Sequence, residues 1–418
     1  MNVQRLNVNI KADINRVLLC PFKPLPEERS AKIVQRVLRL PEEEVQRALE
    51  RVFQNFEYRH RDLKRFFLNR FEQNKKYLPV SEPLSENRKM LIGSYFSHEY
   101  SLEAASLFNP SMVWHPEQSD LPAGSRRFII SLRATGEGHV SSLAFRSGVI
   151  DADFNVVMDD VGKFATAPEI ETTPKGYRAI FSPEKPLSER VLFPVLPEEK
   201  NGIEDVRLVE FQEPGEAPRF YGTYVAYDGK KIRSMMLETT DFQQFNIYRL
   251  KGAAVFNKNL ALFPRKINGQ YAMLSRQDNE NNYIMFSDNL LRWKTYELIM
   301  EPHYPWEFFQ IGNCGSPLET EAGWVVLSHG VGTMREYVIS AFLLDRDDPR
   351  KVIGRLKEPL LRSNTQEREG YVPNVVYTCG GQIFHNHLIF PYAMSDYASS
   401  FAMVNLDELL RELTANSQ

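Results

Sequence analysis

The sequence predicts an all-β fold, a five-bladed β-propeller, with an α-helical N-terminal extension. Two observations favour this class. Helical periodicity dominates before about residue 107, whereas short apolar runs alternating with turn clusters dominate after it. A unit of one apolar strand, a polar strand end, a loop and a second apolar strand then recurs five times. We therefore assign residues 1–106 to the helical extension, 107–410 to the propeller and 411–418 to a C-terminal tail.

The N-terminal region carries helix signals. Pro41 and the three glutamates after it form a good helix start, because proline fits the first turn and acids face the positive end of the helix dipole. Acidic residues are interleaved among the many basic ones, which favours a solvated helix face over a nucleic-acid interface. The spacing of apolar residues predicts helices within 26–40, from 41 to 77 and from 85 to about 106.

Each of the five repeats after residue 107 has one polar residue, its anchor, at a similar place near a strand end. Successive anchors are about 94, 49, 53 and 63 residues apart in the sequence, and units of this length with several strands each are typical of propeller blades. A two-sheet sandwich is the structural alternative. We favour the propeller because it would bring equivalent strand ends from all repeats to one central funnel. The anchors are Arg133, Tyr227, Arg276, His329 and Tyr392.

Composition excludes several protein classes. The 418 residues carry a net charge of -3, so there is no global basic field for nucleic acid. Cys20, Cys314 and Cys379 are far apart in sequence, which argues against a disulfide framework and a zinc site. The first residues show no apolar secretory segment, and no apolar run approaches the roughly 20 residues that span a bilayer. We expect a cytoplasmic protein.

A pair of adjacent carboxylates, Glu204 and Asp205, stands next to Arg207 in the segment GIEDVR. Such a group suits acid–base chemistry, because one carboxyl can stay protonated while the arginine orients the other or a substrate. Neighbouring residues of a strand point to opposite faces, so we expect only one of the two carboxylates to face the funnel. A surface turn with an ion pair is the alternative for this motif on its own.

A second group is cationic and stands at or near strand ends. If these ends converge, several donors meet in one cleft and bind an anion, for which phosphate is the first candidate. Taken singly, each residue also fits an ordinary exposed charge. The group comprises Arg133, Lys258, Arg276, His329 and Arg335.

Two aromatic residues and three glycine-rich turns complete the candidates. Tyr304 and Trp306 lie in a loop with two prolines, where exposed rings would stack on a sugar, although core packing is an equal alternative for Trp306. Glycines at 136–138, 312–315 and 330–332 allow close backbone approach to a ligand, or form ordinary tight turns. The GxGxxG, P-loop, GxSxG and HExxH motifs are absent.

Nine motifs in this order resemble glycoside hydrolase family 130, which contains β-mannoside phosphorylases and some β-mannosidases. The resemblance covers residues 106–410 and implies a five-bladed propeller and an inverting reaction. The helical first hundred residues would be an addition to the family's propeller, for oligomer contact or for covering the site. The motifs are LFNPSMV, SLRATGEGHVSSLAFRSGVI, GIEDVR, NKNLALFPRKINGQYAMLSR, IGNCGSP, SHGV, LLDRDDPRKVIGR, GYVPNVVYTCGG and FPYAMSDYASSFAMVNLDELL.

The resemblance also implies residue roles. Asp205 matches the single aspartate that donates a proton, and Lys258, Arg276 and His329 match positions that hold phosphate. Asn109, Ser111 and Asp396 match positions that contact the mannosyl unit. Further contacts to the substrate are expected, on their chemistry, from the basic residues Arg133, Arg207 and Arg335 and from the aromatic residues Tyr304 and Trp306.

One departure from the family pattern leaves a second reaction open. Gln310 stands where phosphorylases of the family often carry a lysine, and losing that charge weakens phosphate binding. An inverting β-mannosidase would instead use a carboxylate base, for which Glu307 and Glu204 are candidates. Its two carboxyls must lie about 6.5–9.5 Å apart to admit water. A non-catalytic sugar-binding propeller is the third possibility.

The expected function is therefore phosphorolysis of a β-linked mannoside with inversion, giving mannose 1-phosphate. Inorganic phosphate would be the co-substrate, and neither a metal nor an organic cofactor is implied. The expected partner is a small oligosaccharide, with neither nucleic acid nor membrane involved. The N-terminal helices are candidates for contacts in a homo-oligomer.

Overall fold

The structure is a computed structural model that describes residues 1–79 and 83–415, and most of its regular structure is β. The predicted predominance of β-structure is confirmed. The chain forms two compact units. The larger contains residues 1–12, 103–161 and 168 onward, and the smaller contains 13–102 and 162–167. Strand β1 (Val3–Ile10) therefore belongs to the larger unit, and the units do not follow the expected division at residue 106.

In its described residues, 13–79, 83–102 and 162–167, the smaller unit holds four α-helices and one antiparallel strand pair. The stretch expected to be helical from 41 to 77 is two helices separated by residues 57–62. The helix predicted to reach about residue 106 ends at Tyr95, because the chain after it pairs as a strand. Its N-cap is Ser85, whose hydroxyl accepts from the Arg88 amide. The elements are β2 (Val17–Pro21), α1 (Glu28–Leu38), α2 (Glu42–Phe56), α3 (Leu63–Asn74), α4 (Glu86–Tyr95) and β3 (Ser97–Ser101).

The first sheet of the larger unit has eleven strands. Two antiparallel groups, one around β5 and one around β12, join through a single parallel bridge between Gly202 and Ser141. The strands are β4 (Ser106–Trp114), β5 (Arg126–Thr135), β6 (Ser141–Ile150), β7 (Val156–Met158), β8 (Glu169–Thr173), β9 (Gly176–Ile180), β10 (Val191–Leu192), β11 (Gly202–Phe211), β12 (Arg219–Tyr227), β13 (Ile232–Thr239) and β14 (Gln244–Arg249).

Three smaller antiparallel sheets follow along the chain. The first contains β15 (Ala261–Leu262), β16 (Tyr271–Ser275), β17 (Asn282–Ser287) and β18 (Glu297–Met300). The second contains β19 (Gln310–Asn313), β20 (Leu318–Thr320), β21 (Gly323–Val331), β22 (Tyr337–Leu344) and β23 (Val352–Arg355). The third contains β24 (Val376–Tyr377), β25 (Gln382–Phe384), β26 (His387–Met394) and β27 (Ala398–Asn405), and it is completed by β1.

Each of the five sequence repeats is an antiparallel hairpin. The pairs are β5 with β6, β12 with β13, β16 with β17, β21 with β22 and β26 with β27. Their apolar residues pack into clusters between the sheets, which include the side chains of Phe145, Met273, Val325 and Phe390. The polar anchors of the repeats are consequently held by well-packed strands.

Both chain ends depart from the sequence assignment. Strand β1 pairs with β27 from Val3 opposite Val404, because Leu6, Val8 and Ile10 alternate with polar residues in strand fashion. Helix α5 (Leu406–Ala415) covers the first part of the predicted tail and buries Leu409 and Leu413. The remainder of that tail, residues 416–418, lies outside the described residues.

Two irregular strands matter most for the site. The register of β4 shifts between Phe108 and Ser111, and that of β11 shifts between Glu204 and Arg207. Within these bulges Asn109 has φ of 50° and Asp205 has φ of 53°, both in the left-handed region. Short polar side chains tolerate this region best, and β-bulges often redirect a side chain next to an active site.

Candidate active site

A cavity of about 510 Å³ collects side chains from strand ends that are remote in sequence. Asp205 and Arg276 both line it, so the carboxyl and the guanidinium face the same space. Nine of the fifteen residues singled out from the sequence line this cavity. They are Asn109, Arg133, Asp205, Lys258, Arg276, Gln310, His329, Arg335 and Asp396.

The Asp205 carboxyl is held by two donors. Asn109 Nδ2 donates to Asp205 Oδ1 over 2.7 Å, and Arg133 Nη1 lies 3.4 Å from the same oxygen. Burial by itself raises the pKa of Asp205. The nearby charges of Arg133, Lys258 and Arg207 outweigh burial, so the net pKa lies below its ordinary value.

Glu204 shares these cations with its neighbour. Arg133 Nη2 donates to Glu204 Oε1 at 2.7 Å, and Lys258 Nζ donates to Oε2 at 2.9 Å. The expectation that only one of the two carboxylates faces the central funnel agrees with the lining of the cavity, which contains Asp205 but not Glu204. The bulge at Asp205 breaks the alternation of the strand, so both carboxylates reach the Arg133 guanidinium, while Asp205 alone of the two lines the cavity.

Arg276 is a buried cation that lines the cavity. Its side chain is buried, and no carboxylate oxygen among the described residues forms an ion pair with it. Its Nε has no hydrogen-bond partner in the described parts of the chain. The Gln310 side-chain amide forms hydrogen bonds with two neighbours in one of its two orientations. In that orientation its oxygen accepts from Arg276 Nη1 at 2.7 Å and its nitrogen donates to the Asn279 carbonyl. Burial lowers the pKa of Arg276, which still leaves a guanidinium that is charged at neutral pH.

His329 lies against this guanidinium as a neutral imidazole. Its Nε2 is 3.5 Å from Arg276 Nη1, and its ring stacks on Tyr337. Burial first, then the charges of Arg276 and Arg207, hold the pKa of His329 well below its ordinary value. Gly312 makes room for the ring, since a Cβ there would come within 2.4 Å of His329 Cε1.

The pKa of Asp396 is shifted upward, whereas that of Asp205 is shifted downward. Burial and the charge of Asp205 raise the pKa of Asp396 to about 6, although Arg133 and Arg335 act against that rise. Its carboxyl accepts no hydrogen bond from the described residues and remains available to a ligand. Arg335 lies at the exposed edge of the cavity, with its guanidinium over the Tyr337 ring.

Two residues expected to bind substrate have other contacts. Arg207 is buried and donates to the carbonyl oxygens of Cys314 and Asp205 and to the Tyr377 hydroxyl. Ser111 is fully buried, and its hydroxyl accepts from the Leu208 amide at 2.9 Å. Neither belongs to the described residues that line the cavity, because both bind the backbone of the strands around it.

The loop with Tyr304 and Trp306 is also outside the cavity lining. Trp306 Nε1 donates to the Lys357 carbonyl, and its ring packs on Gly330, where a Cβ would come within 2.5 Å. Trp306 is buried, so core packing explains its ring, and the half-buried Tyr304 stacks on it. Glu307 is buried, and its Oε1 accepts from the amides of His303 and Tyr304 and from Arg355. Burial raises the pKa of Glu307, against the charge of Arg355.

Sequence reasoning missed a ring of asparagine and tyrosine side chains. Asn257, Asn259 and Asn279 line the cavity, and each has a left-handed backbone with φ between 63° and 68°. Asn259 Nδ2 donates to the Asn313 carbonyl at 2.8 Å. The signal was present, because asparagines in NKN and in DNEN stand just outside strands, where left-handed residues terminate pairing. Tyr337 and Tyr377 complete the set.

Neither a metal cluster nor a membrane span is found in residues 1–79 and 83–415. No group of three or more histidine, cysteine, aspartate or glutamate side chains is placed to hold a metal ion. No helix in that part of the chain is long and apolar enough to cross a bilayer.

Comparison with known proteins identifies the family. Residues 170–414 match the glycoside hydrolase family 130 model, which is described as β-1,4-mannooligosaccharide phosphorylase. The chain belongs to glycoside hydrolase family 130. The matched residues include the acid motif, the cationic residues from Lys258 onward and Asp396, whereas Asn109 and Arg133 precede them.

Family members with curated functions share about a third of the aligned residues. A 1,2-β-oligomannan phosphorylase of a Thermoanaerobacter species is 32% identical over 216 residues, which are 51% of this chain and 71% of the relative. A β-1,4-mannooligosaccharide phosphorylase of Ruminococcus albus is 32% identical over 212 residues, covering 48% and 63% of the two chains.

Solved structures of the same fold extend the match. The β-1,2-mannobiose phosphorylase of Listeria innocua superposes with a TM-score of 0.56 at 20% identity, covering 75% of this chain and 93% of that one. A putative glycoside hydrolase of Parabacteroides distasonis gives a TM-score of 0.55 at 19% identity, covering 74% and 89%. At these identities the likeness concerns the fold alone.

Proposed function

We propose that this family 130 protein is a β-mannoside phosphorylase, which cleaves a β-linked mannoside with inorganic phosphate and inversion to give mannose 1-phosphate. The observation that carries the proposal is Arg276. It is a buried guanidinium without a carboxylate, it has an unpartnered Nε, and it lines the same cavity as Asp205. A buried cation left unpaired is costly, and a phosphate oxyanion satisfies it with charge-assisted hydrogen bonds.

The relatives support the substrate class. The curated members act, by their names, on 1,2-β-oligomannan, β-1,2-mannobiose or β-1,4-mannooligosaccharides. All are phosphorylases of β-mannosides, and they differ in linkage. We therefore propose a small β-mannoside as the substrate and take both linkages into the test.

Asp205 is the proposed proton donor. A phosphate oxygen forms the new bond to the anomeric carbon while the bond to the departing sugar oxygen breaks. That oxygen receives the proton of Asp205, directly or through a hydroxyl of the mannosyl ring. The cations around Asp205 lower its pKa, but a bound phosphate dianion beside Lys258 and Arg276 acts in the opposite sense. Phosphate binding thus favours the protonated carboxyl that catalysis requires.

The remaining polar residues of the cavity are proposed to hold the sugars. Asp396 offers a carboxylate without a protein donor, which suits two neighbouring hydroxyls of the mannosyl unit. Asn109 and Arg133 border the Asp205 carboxyl and orient it toward the glycosidic oxygen. Arg335 at the exposed edge is proposed to contact the departing sugar.

Hydrolysis is the less favoured reaction, because both candidate bases are engaged. Glu307 accepts from two backbone amides and Arg355 away from the cavity. Glu204 forms ion pairs with Arg133 and Lys258. Gln310 keeps a role on the phosphate side, since its amide oxygen accepts from Arg276 and orients that guanidinium. The missing lysine charge therefore leaves the phosphate site with Arg276, Lys258 and the neutral His329.

We also propose a five-bladed β-propeller for residues 107–410, most of which belong to the larger unit. Five antiparallel groups built around the five hairpins support it, and strand β1 completes the last group beside β27. Joining the first strand of a chain to its last blade is one way to close a ring of blades. The role of the helical residues in self-association and the cytoplasmic location remain predictions.

The test of function is product analysis with and without phosphate. The protein is incubated with β-1,2- and β-1,4-mannobiose, and mannose 1-phosphate and free mannose are quantified by anion-exchange chromatography. Phosphate-dependent mannose 1-phosphate on either substrate is expected. Release of two free mannose molecules per disaccharide without phosphate would show a mannosidase instead. Substrate binding with no turnover on either linkage would favour a sugar-binding protein.

A further inference from the structure

Arg207 is a buried cation that does not face the cavity. Its side chain is 2% exposed, and each of its three nitrogens already donates a hydrogen bond. Nε donates to the Cys314 carbonyl at 2.7 Å, Nη1 to the Asp205 carbonyl at 2.9 Å and Nη2 to the Tyr377 hydroxyl at 2.8 Å. A guanidinium used in this way presents no free edge to a substrate.

These three acceptors stand on, or directly after, strands of three different sheets. Asp205 and Arg207 are in β11, Cys314 directly follows β19, and Tyr377 ends β24. The bond to the Asp205 carbonyl closes the bulge of β11 between Glu204 and Arg207. Arg207 therefore fixes the backbone of Asp205 relative to two neighbouring sheets.

The backbone of Asp205 needs such support. Its φ of 53° lies in the left-handed region, which costs an L-residue a positive free energy of folding. Strained conformations persist when the surrounding structure determines them in more than one way. The Asn109 amide constrains the side chain of Asp205, and Arg207 constrains its main chain.

The charge of Arg207 acts on the same chemistry. It lowers the pKa of Asp205 together with Arg133 and Lys258, and it lowers the pKa of His329 after burial and Arg276. The cation thus acts on both Asp205 and His329, although it is not among the described residues that line the cavity.

We propose that Arg207 is a positioning residue, which holds the β11 bulge so that the Asp205 carboxyl points at the glycosidic oxygen, and which touches neither sugar nor phosphate. This inference rests on the proposed role of Asp205 as proton donor. It replaces the expectation from the sequence that Arg207 binds substrate. It also separates geometry from charge, because lysine keeps the charge but cannot reach three acceptors.

The experiment compares Arg207→Lys and Arg207→Met for kcat, KM and the pH dependence of kcat/KM. A general acid must be protonated, so activity declines above its pKa. In Arg207→Met the Asp205 pKa rises, so we expect the decline of kcat/KM on the alkaline side of the pH profile (the alkaline limb) to move to higher pH. We expect kcat to fall at least 100-fold in the same variant. In Arg207→Lys we expect the limb to stay in place and kcat to fall roughly 10- to 100-fold, with KM for mannoside and phosphate within about 3-fold.

Arg190 supplies the matched control. It is also buried, at 7% exposed, and its hydrogen bonds within the described residues go to the carbonyl oxygens of Lys185 and Phe242, neither of which lines the cavity. Its Lys and Met variants are expected to lose thermal stability, with no shift in the pH dependence of kcat/KM.

Two results for Arg207→Met would contradict the proposal. Loss of stability with unchanged kcat and unchanged pH dependence would show that Arg207 has a structural role only. A tenfold rise in mannoside KM with unchanged kcat would make it a substrate-binding residue. Either result overturns the proposal.

Two further outcomes are also decisive. If Arg207→Met does not fold, the lysine variant decides, and unchanged kcat in that variant overturns the proposal. If the unmodified protein turns over no mannoside, the proposed function fails but this inference is still tested. Carboxyl ¹³C NMR, with Asp205→Asn for assignment, should then show a higher Asp205 pKa in Arg207→Met than in the unmodified protein. Equal pKa values in the two proteins would overturn it.

Discussion

Asn109 Nδ2 donates to Asp205 Oδ1 across 2.7 Å, although 96 residues separate the two in sequence. Both residues occupy left-handed backbone at strand bulges, one in β4 and one in β11. The bond thus joins two local irregularities at the candidate site. Each bulge interrupts the regular pairing of its strand and places a polar side chain in the lining of the cavity.

The first prediction concerns this bond. Replacing Asn109 by glycine keeps the left-handed backbone and removes the donor, so we expect kcat to fall roughly 10- to 100-fold, since a hydrogen bond to a charged group contributes about 1.5–3 kcal/mol. Replacing it by alanine should cost about 1 kcal/mol of folding stability in addition, because alanine avoids left-handed φ. Steady-state kinetics and urea unfolding of both variants measure the two effects. Full turnover in Asn109→Gly would contradict an orienting role.

The second prediction concerns the proton donor. Asp205→Asn keeps the shape and the Asn109 contact site but cannot supply a proton, so phosphorolysis should fall by about 10²–10⁴ or more. Substrates with a good leaving group, such as an activated aryl mannoside, should recover part of the rate because they need no acid. Asp153→Asn, an exposed aspartate outside the cavity lining, serves as control and should be unaffected. Near-full activity of Asp205→Asn on mannobiose would remove Asp205 from the mechanism.

The third prediction concerns phosphate. Arg276→Met removes the buried guanidinium, and we expect the phosphate KM to rise roughly 10- to 150-fold, which corresponds to about 1.5–3 kcal/mol. Arg276→Lys should recover part of the loss, because an ammonium supplies charge without the planar two-point geometry. The mannoside KM should change much less. Arg292→Met on the exposed surface is the control. Equal losses in phosphate and mannoside affinity would argue against a dedicated phosphate site.

The sequence could predict the parts of the site that share a regular pattern. The five hairpins followed from repeats of apolar runs, and the cations at their ends followed from the anchors, because strand ends of equivalent repeats have equivalent positions. Asp205 was recognised from its motif. The contact of its neighbour Glu204 with the same Arg133 guanidinium could not be predicted, since a bulge is a local change of register that alternation alone does not reveal.

Other features depend on tertiary packing and were beyond the sequence. The sequence of strand β1 alone does not show which strand it pairs with. Its partner, strand β27, lies almost 400 residues away in the sequence. Glu307 and Trp306 are residue types that often occur in sugar-binding sites. In this structure Glu307 instead accepts a hydrogen bond from the backbone of its own turn, and the Trp306 ring packs on Gly330. Arg207 resembles a substrate ligand in its motif, and only the positions of Cys314 and Tyr377 show that its donors are occupied.

The fourth prediction uses the raised pKa of Asp396, about 6 against an ordinary 3.8. The folded state binds this proton more tightly than the unfolded state, so stability is lost as pH rises from about 4 to 6. Asp396→Asn removes the penalty and should raise the free energy of unfolding at pH 7.5 by on the order of 1–2 kcal/mol, after allowance for the solvent in the cavity. The gain should vanish near pH 4. Mannoside KM should rise at the same time. Urea titrations at both pH values decide, and an equal effect at both would contradict the pKa argument.

The fifth prediction concerns the carboxylate that a hydrolase would need. Glu307 accepts from two backbone amides and from Arg355, so Glu307→Gln should lower the free energy of unfolding by about 1–3 kcal/mol, because a buried donor is left without its charged partner. Turnover per folded molecule should stay within about 3-fold, since the side chain does not line the cavity. Chemical denaturation and activity at a temperature well below the unfolding midpoint measure the two effects separately. A loss of 10²-fold or more in a fully folded Glu307→Gln protein would restore Glu307 as a catalytic base, and with it the mannosidase reaction.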